Sequence, residues 1–133
     1  MKLLGGYPLP FQLQASATFQ TIPGPQITAD YPMTSTQIRP SLGRNLAAGA
    51  NATAIVQLMD PGTQFEGRIN QLDLRIARNF KVGRTRLQGT FDAYNVLNVS
   101  SILSLNTRYG PSWLTPTQIL PARLFKAGMQ LDF

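Results

Sequence analysis

The 133-residue sequence contains no cysteine and no histidine. Disulfides and His/Cys metal sites are therefore excluded, and the commonest general base is missing. No apolar run approaches the ~20 residues of a membrane-crossing helix, although 43% of the residues are hydrophobic. That absence removes helical spanning and leaves strand spanning open, because a barrel strand needs about 9–11 residues and is weak in hydropathy. The six carboxylates, Asp30, Asp60, Glu66, Asp73, Asp92 and Asp132, sit singly along the chain. Acid–base catalysis needs positioned carboxylates or a tuned base, so an enzyme is the least favoured class. No catalytic residue, cofactor or metal is expected. Gly5-Gly6 precedes a proline turn rather than a helix, which argues against a phosphate-cradling loop.

What is present starts with charge. Twelve Lys+Arg against six Asp+Glu give +6, which suits anionic partners. The basic residues are spread from Lys2 to Lys126 and form no run, whereas a nucleic-acid arm concentrates them. Arg75, Arg78, Lys81, Arg84 and Arg86 form a local basic hairpin beside Phe80. Anchoring at lipid head groups accounts for it better than a phosphate-contacting ribbon, and no nucleic-acid partner is expected. Met1-Lys2-Leu3-Leu4 opens like a secretion signal, but Gly5, Gly6, Pro8 and Pro10 interrupt it. The expectation is a soluble chain or a piece whose targeting sequence lies upstream.

The length fits one domain, and its ordered stretches alternate. Phe125, Ala127, Met129, Leu131 and Phe133 form one face of the last stretch, opposite Leu124, Lys126, Gly128, Gln130 and Asp132. Phe11, Leu13, Ala15, Ala17 and Phe19 alternate with uncharged amides and hydroxyls. Tyr7-Pro8-Leu9-Pro10 reads as the preceding turn, with Lys2 to Tyr7 as the tail of an incoming strand. Leu72, Leu74, Ile76 and Phe80 share a face, which Arg78 joins close to a Lys81-Val82-Gly83-Arg84 turn. Leu87, Gly89, Phe91 and Ala93 follow. Apolar positions are even before this turn and odd after it, so matched faces require an even loop, and four residues supply one. That register sets Leu74 against Phe91 and Asp73 against Asp92, the second unfavourable unless Arg75 or a neighbouring strand compensates. Residues 21–67 and 99–118 are broken by proline and glycine, with a short alternation at 53–58 that suggests a hairpin arm. Long and short connections thus alternate, as they do on the two sides of a membrane barrel.

Several motifs carry a family resemblance. These are Leu72-Asp73-Leu74-Arg75, Asp92-Ala93-Tyr94-Asn95-Val96-Leu97-Asn98, Asn106-Thr107-Arg108-Tyr109-Gly110, Trp113-Leu114-Thr115-Pro116-Thr117 and the terminal Gln130-Leu131-Asp132-Phe133. Pro23-Gly24-Pro25 and Pro40-Ser41-Leu42-Gly43-Arg44-Asn45-Leu46 add to them. Together they resemble the C-terminal barrel end of TonB-dependent outer-membrane receptors, most closely the large Oar-like group, many of which carry a carboxypeptidase-regulatory-like domain at the front. The resemblance covers nearly the whole chain. It implies a barrel of about 22 strands around a plug and a short box coupled to the energy-transducing complex. No candidate for plug or box stands in these residues, and about four barrel strands do.

The expected fold is all-β: antiparallel up-and-down strands near 10–20, 68–80, 85–98 and 119–133, an open curved sheet when alone, and outward loops at 21–67 and 99–118. Phe11, Leu13, Phe19, Leu72, Leu74, Ile76, Leu87 and Phe91 are expected to face lipid. The resemblance implies a barrel-assembly signal at Phe125, Met129, Leu131 and Phe133, and Tyr109 and Trp113 are candidate loop contacts. The implied location is the outer membrane of a Gram-negative-type bacterium. Its partners would be outer-membrane lipid, the remaining N-terminal barrel and plug, and the TonB complex through the full-length receptor. The competing expectation is a soluble β-sandwich binding or adhesion module, monomeric without detergent and polar on its outward strand faces.

Overall fold

A computed structural model describes residues 1–133, the side chain of Val82 excepted. It comprises nine strands and one helix: β1 (Lys2–Leu9), β2 (Leu13–Ile22), β3 (Asp30–Thr34), α1 (Ser35–Leu42), β4 (Thr53–Gln57), β5 (Ile69–Val82), β6 (Thr85–Tyr94), β7 (Ile102–Leu105), β8 (Pro116–Ile119) and β9 (Leu124–Asp132). The chain is all-β and its sheets are open. It divides into two compact units, the first holding Met1–Gly24, Gly67–Ser101 and Ile119–Phe133, the second Pro25–Glu66 and Ile102–Gln118.

The first unit is a five-stranded sheet in the order β1-β2-β5-β6-β9, antiparallel at every pairing. Lys2 to Leu9 is a full edge strand rather than a tail, so the sheet has one strand more than the four expected. Pro8 is tolerated because an edge strand leaves one row of amide groups unpaired. The first turn lies further along than the prolines suggest, at Pro10, Phe11 and Gln12, between the paired Leu9 and Leu13. Phe11 and Gln12 both take positive φ (63° and 59°).

The β5–β6 hairpin corrects the expected register. Val82 pairs with Thr85, leaving a two-residue turn of Gly83 and Arg84. Gly83 has φ 64°, and glycine at the first central position is the signature of a type II′ turn, whose twist matches that of the strands it joins. Two residues and four are both even, so the faces still match, but every pair shifts. Ile76, not Leu74, meets Phe91, and Arg75, not Asp73, meets Asp92. The like-charge clash of the longer loop is replaced by an attractive pair.

Strand ends differ from the sequence pattern as well. β6 stops at Tyr94, because Asn95 (φ 48°) and Asn98 (φ 52°) turn into the left-handed region, which asparagine tolerates better than most residues. β9 begins at Leu124, and Ile119 belongs to β8.

The second unit fills the two stretches that lose the strand pattern. β3 pairs with β4, in keeping with the hairpin arm suggested at 53–58, and β7 pairs with β8. Helix α1 was not expected. Thr34 caps it through a reciprocal box with Gln37, and Gly43 (φ 72°) ends it with its N–H on the Arg39 carbonyl at 2.9 Å. Among the described residues, the buried apolar ones are Ala29, Ile69, Ala77, Ala93 and Leu105, three of them alanine. So small an interior leaves most of the large apolar side chains outside it.

Candidate functional site

Directly paired residues of antiparallel strands share a face, so the alternating segments are in phase across both the three-residue turn after β1 and the two-residue turn after β5. On one face of the five-stranded sheet, Leu9, Leu13, Arg78, Gly89 and Met129 form one row. The next rows are Tyr7, Ala15, Ile76, Phe91 and Ala127, then Gly5, Ala17, Leu74, Ala93 and Phe125. Leu3, Phe19 and Leu72 continue it. Phe91 and Phe125 stack at 5.8 Å across β6 and β9. The ring edge of Phe80 lies beside Gly89, within ordinary contact distance of where a Cβ there would stand. Arg78 interrupts the apolar rows, and its guanidinium lies 4.7 Å from the Phe80 ring centroid.

Leu13, Phe19, Leu72, Leu74, Ile76, Leu87 and Phe91 all stand on this face. Phe11 does not; it sits in the turn beyond the strand end. These side chains do not converge into a sealed interior. Leu74 is 40% exposed, Phe91 49%, Met129 77% and Phe11 79%. Phe125, Met129 and Leu131 lie on the same face of β9, and Phe133 follows the strand fully exposed.

The opposite face is polar and hydrogen-bonded. The Gln20 side-chain amide donates to Gln71 Oε1 at 2.8 Å, and Gln71 Nε2 donates to Asp73 Oδ1 at 2.9 Å. The same oxygen accepts the Asn95 backbone N–H at 2.8 Å, which ties the end of β6 to β5. Arg75 grips Asp92 with two donors, Nε to Oδ1 and a second guanidinium nitrogen to Oδ2 at 3.2 Å. Asp92 is buried, and Lys126 pairs with it from β9, so the carboxylate has a cation on each side.

The Asp92-to-Asn98 motif makes the corner after β6. Buried Asn95 donates through Nδ2 to the carbonyls of Val99 (2.9 Å) and Pro121 (2.8 Å), and its Oδ1 accepts the Val99 N–H. Asn98 Oδ1 accepts the Arg123 N–H at 3.1 Å. Each asparagine serves both as a backbone break and as a staple to the chain entering β9.

In the second unit Tyr109 and Trp113 do come together, with ring centroids 5.6 Å apart. Tyr31 of β3, absent from the sequence expectations, adds an edge contact to Tyr109 at 6.4 Å. The Trp113 indole donates to the Thr28 carbonyl at 2.9 Å, fixing one ring. Backbone bonds Asp30 N to Thr107 O and Tyr109 N to Asp30 O, both 2.9 Å, clamp the two long segments together. The signal for Tyr31 was a lone aromatic in a proline-broken stretch, which sequence spacing does not connect to Tyr109.

The basic hairpin residues separate. Arg75 is engaged by Asp92, Arg78 joins the apolar face, Arg84 occupies the turn, and Lys81 and Arg86 oppose each other on the polar face. They therefore form no single ribbon. No family model, curated protein or solved structure matches this chain.

Proposed function

We propose that this chain is a C-terminal wall segment of an outer-membrane, TonB-dependent, Oar-like receptor or transporter, with residues 21–67 and 99–118 as its outward, ligand-facing loops. One observation carries this: a five-strand apolar face that is continuous in register, uncovered, and backed by a hydrogen-bonded polar face. A soluble sandwich covers such a face with a second sheet. A membrane barrel covers it with hydrocarbon.

Dimensions support the barrel. Leu72 to Phe80 on β5 is roughly 26 Å of strand at ~3.3 Å per residue, or roughly 20 Å along the membrane normal at a ~40° tilt. The apolar band of such barrels is about 25 Å tall. Arg78 is the exception to be explained. A midplane arginine costs about 2–4 kcal/mol, and one near the interface about 0–1. Arg78 lies about 13 Å of strand from Val82, hence about 10 Å from the turn after tilt. Its stacking on Phe80, nearer the turn, draws the charge toward the head groups.

Connection lengths agree. Both short turns lie at one end of the sheet, where β9 also finishes, and both long connections leave from the other end. Barrels keep short turns on the periplasmic side and long loops outside. Even an eight-strand barrel is only just wide enough to be filled by side chains, so the partners are further barrel strands, a plug and outer-membrane lipid. Energy coupling would come through the full-length receptor.

The absence of cysteine makes the test direct. Nitroxide labels are placed singly through Leu74→Cys, Phe91→Cys, Met129→Cys, Ser16→Cys and Gln130→Cys on the full chain in phospholipid vesicles. Labels at 74, 91 and 129 should collide with dissolved oxygen more than with a water-soluble nickel chelate, and those at 16 and 130 should do the reverse. Equal chelate access at all five positions would reject membrane insertion.

A further inference from the structure

At the short-turn end, the polar face holds a basic pocket that the wall role does not use. Its volume is about 450 Å³, and its polar lining is Gln12, Asn79, Lys81, Arg86, Gln88 and Asp132. Lys81 and Arg86 are direct cross-strand partners, one step from the pair that closes the turn. In a two-residue hairpin this is the non-hydrogen-bonded position, where opposed side chains stand closest. Like charges directly opposite destabilise a sheet. Among the described residues neither forms a salt bridge. The negative groups to consider are Asp132, which pairs with Arg86 in register and accepts Gln130 Nε2 at 3.1 Å, and the terminal carboxylate of Phe133. Asp92 is already held by Arg75 and Asp73 by Gln71 and Asn95.

From this arrangement we infer that the pocket is a site for a phosphate monoester or inorganic phosphate, held between Lys81 and Arg86. A dianion neutralises both cations at once, whereas a carboxylate neutralises one. The guanidinium fork and the lysine ammonium supply charge-assisted donors, and the Gln12, Asn79 and Gln88 amides supply neutral ones. The volume lies in the range of small-molecule sites, so a bare phosphate leaves room for an attached group. Phe80, of the apolar face, completes the lining, but Asn79, Lys81, Arg86, Gln88 and Asp132 all stand in register on the polar face, opposite the apolar wall, so the ligand is a soluble phosphate rather than a lipid head group.

The test uses the full chain in an uncharged detergent, with binding followed by phosphorus NMR line broadening and by calorimetry. The probes are inorganic phosphate, glycerol 3-phosphate, and micelles doped with a short-chain phosphatidic acid. Saturable binding of the two soluble phosphates is expected, with or without the lipid. Lys81→Gln and Arg86→Gln should each weaken it about tenfold, and Asp132→Asn should tighten it. Arg84→Gln removes the same charge outside the pocket and should change affinity by less than about twofold. Far-UV circular dichroism checks that each variant keeps its sheet. No binding, binding of the lipid alone, or equal weakening by Arg84→Gln overturns the inference. None of these results bears on which face meets hydrocarbon, so the two proposals fail separately.

Discussion

Single residues decide how closely β6 and β9 approach. Gly128 pairs with Thr90, whose hydroxyl donates to the Gly128 carbonyl at 3.3 Å. A Cβ at Gly128 would lie 2.8 Å from Thr90 Oγ1, closer than real Cβ atoms come. Gly128→Ala should therefore cost about 1–3 kcal/mol, the usual range for overpacking. Thr90→Ala removes the obstructing oxygen, so Gly128→Ala in that background should cost clearly less. Urea unfolding of the four proteins in detergent, closed as a double-mutant cycle, measures the difference. An additive cycle would place the strain elsewhere. Asn95 is the other decisive residue. Its role was not legible in sequence, because the groups it binds at Val99 and Pro121 are joined to it only after the chain turns back.

At the scale of elements, parity was readable and register was not. Alternation in β2, β5, β6 and β9 is visible in sequence because every strand has one apolar and one polar face. Loops of two and four residues keep the same parity, so faces alone do not choose between them. The choice falls to Gly83, the one residue of the turn free to adopt a positive φ without a Cβ penalty. Gly83→Val should destabilise the hairpin by about 1–2 kcal/mol through left-handed strain, and Gly83→Asn by less. Amide exchange at Phe80 and Leu87, the hydrogen-bonded pair next beyond the one that closes the turn, should report it first. Equal protection in the wild type and Gly83→Val would show that the turn does not set the register. Helix α1 was missed because Pro40 lies within it amid a proline-broken stretch. Its capping residues Thr34 and Gln37 and its terminal Gly43 were present to be read.

For the whole molecule, what matters is how little is inside. An interior of three alanines, one isoleucine and one leucine among the described residues stands against an apolar face that spans five strands. Exposed apolar patches of such extent drive association unless something covers them. The full chain should sediment as a heterogeneous aggregate in buffer and as a defined species once detergent exceeds its critical concentration. Replacing Leu74, Phe91 and Met129 together by serine should reduce that dependence. A monodisperse monomer in plain buffer would instead favour the sandwich module. The sheet's amphipathy was legible in sequence; its fifth strand was hidden by the glycines and proline of β1, and the fold of the second unit by the lack of any period.

The clamp between the two long segments has a consequence for how such a chain can vary. Thr28 and Asp30 lie on the first excursion, and Thr107, Tyr109 and Trp113 on the second, yet each satisfies polar groups of the other. Neither segment can be reshaped at these residues alone without orphaning an indole donor or a main-chain amide. Homologous chains with a different first excursion should carry a matching change in the second, so the pair is inherited as a single cassette.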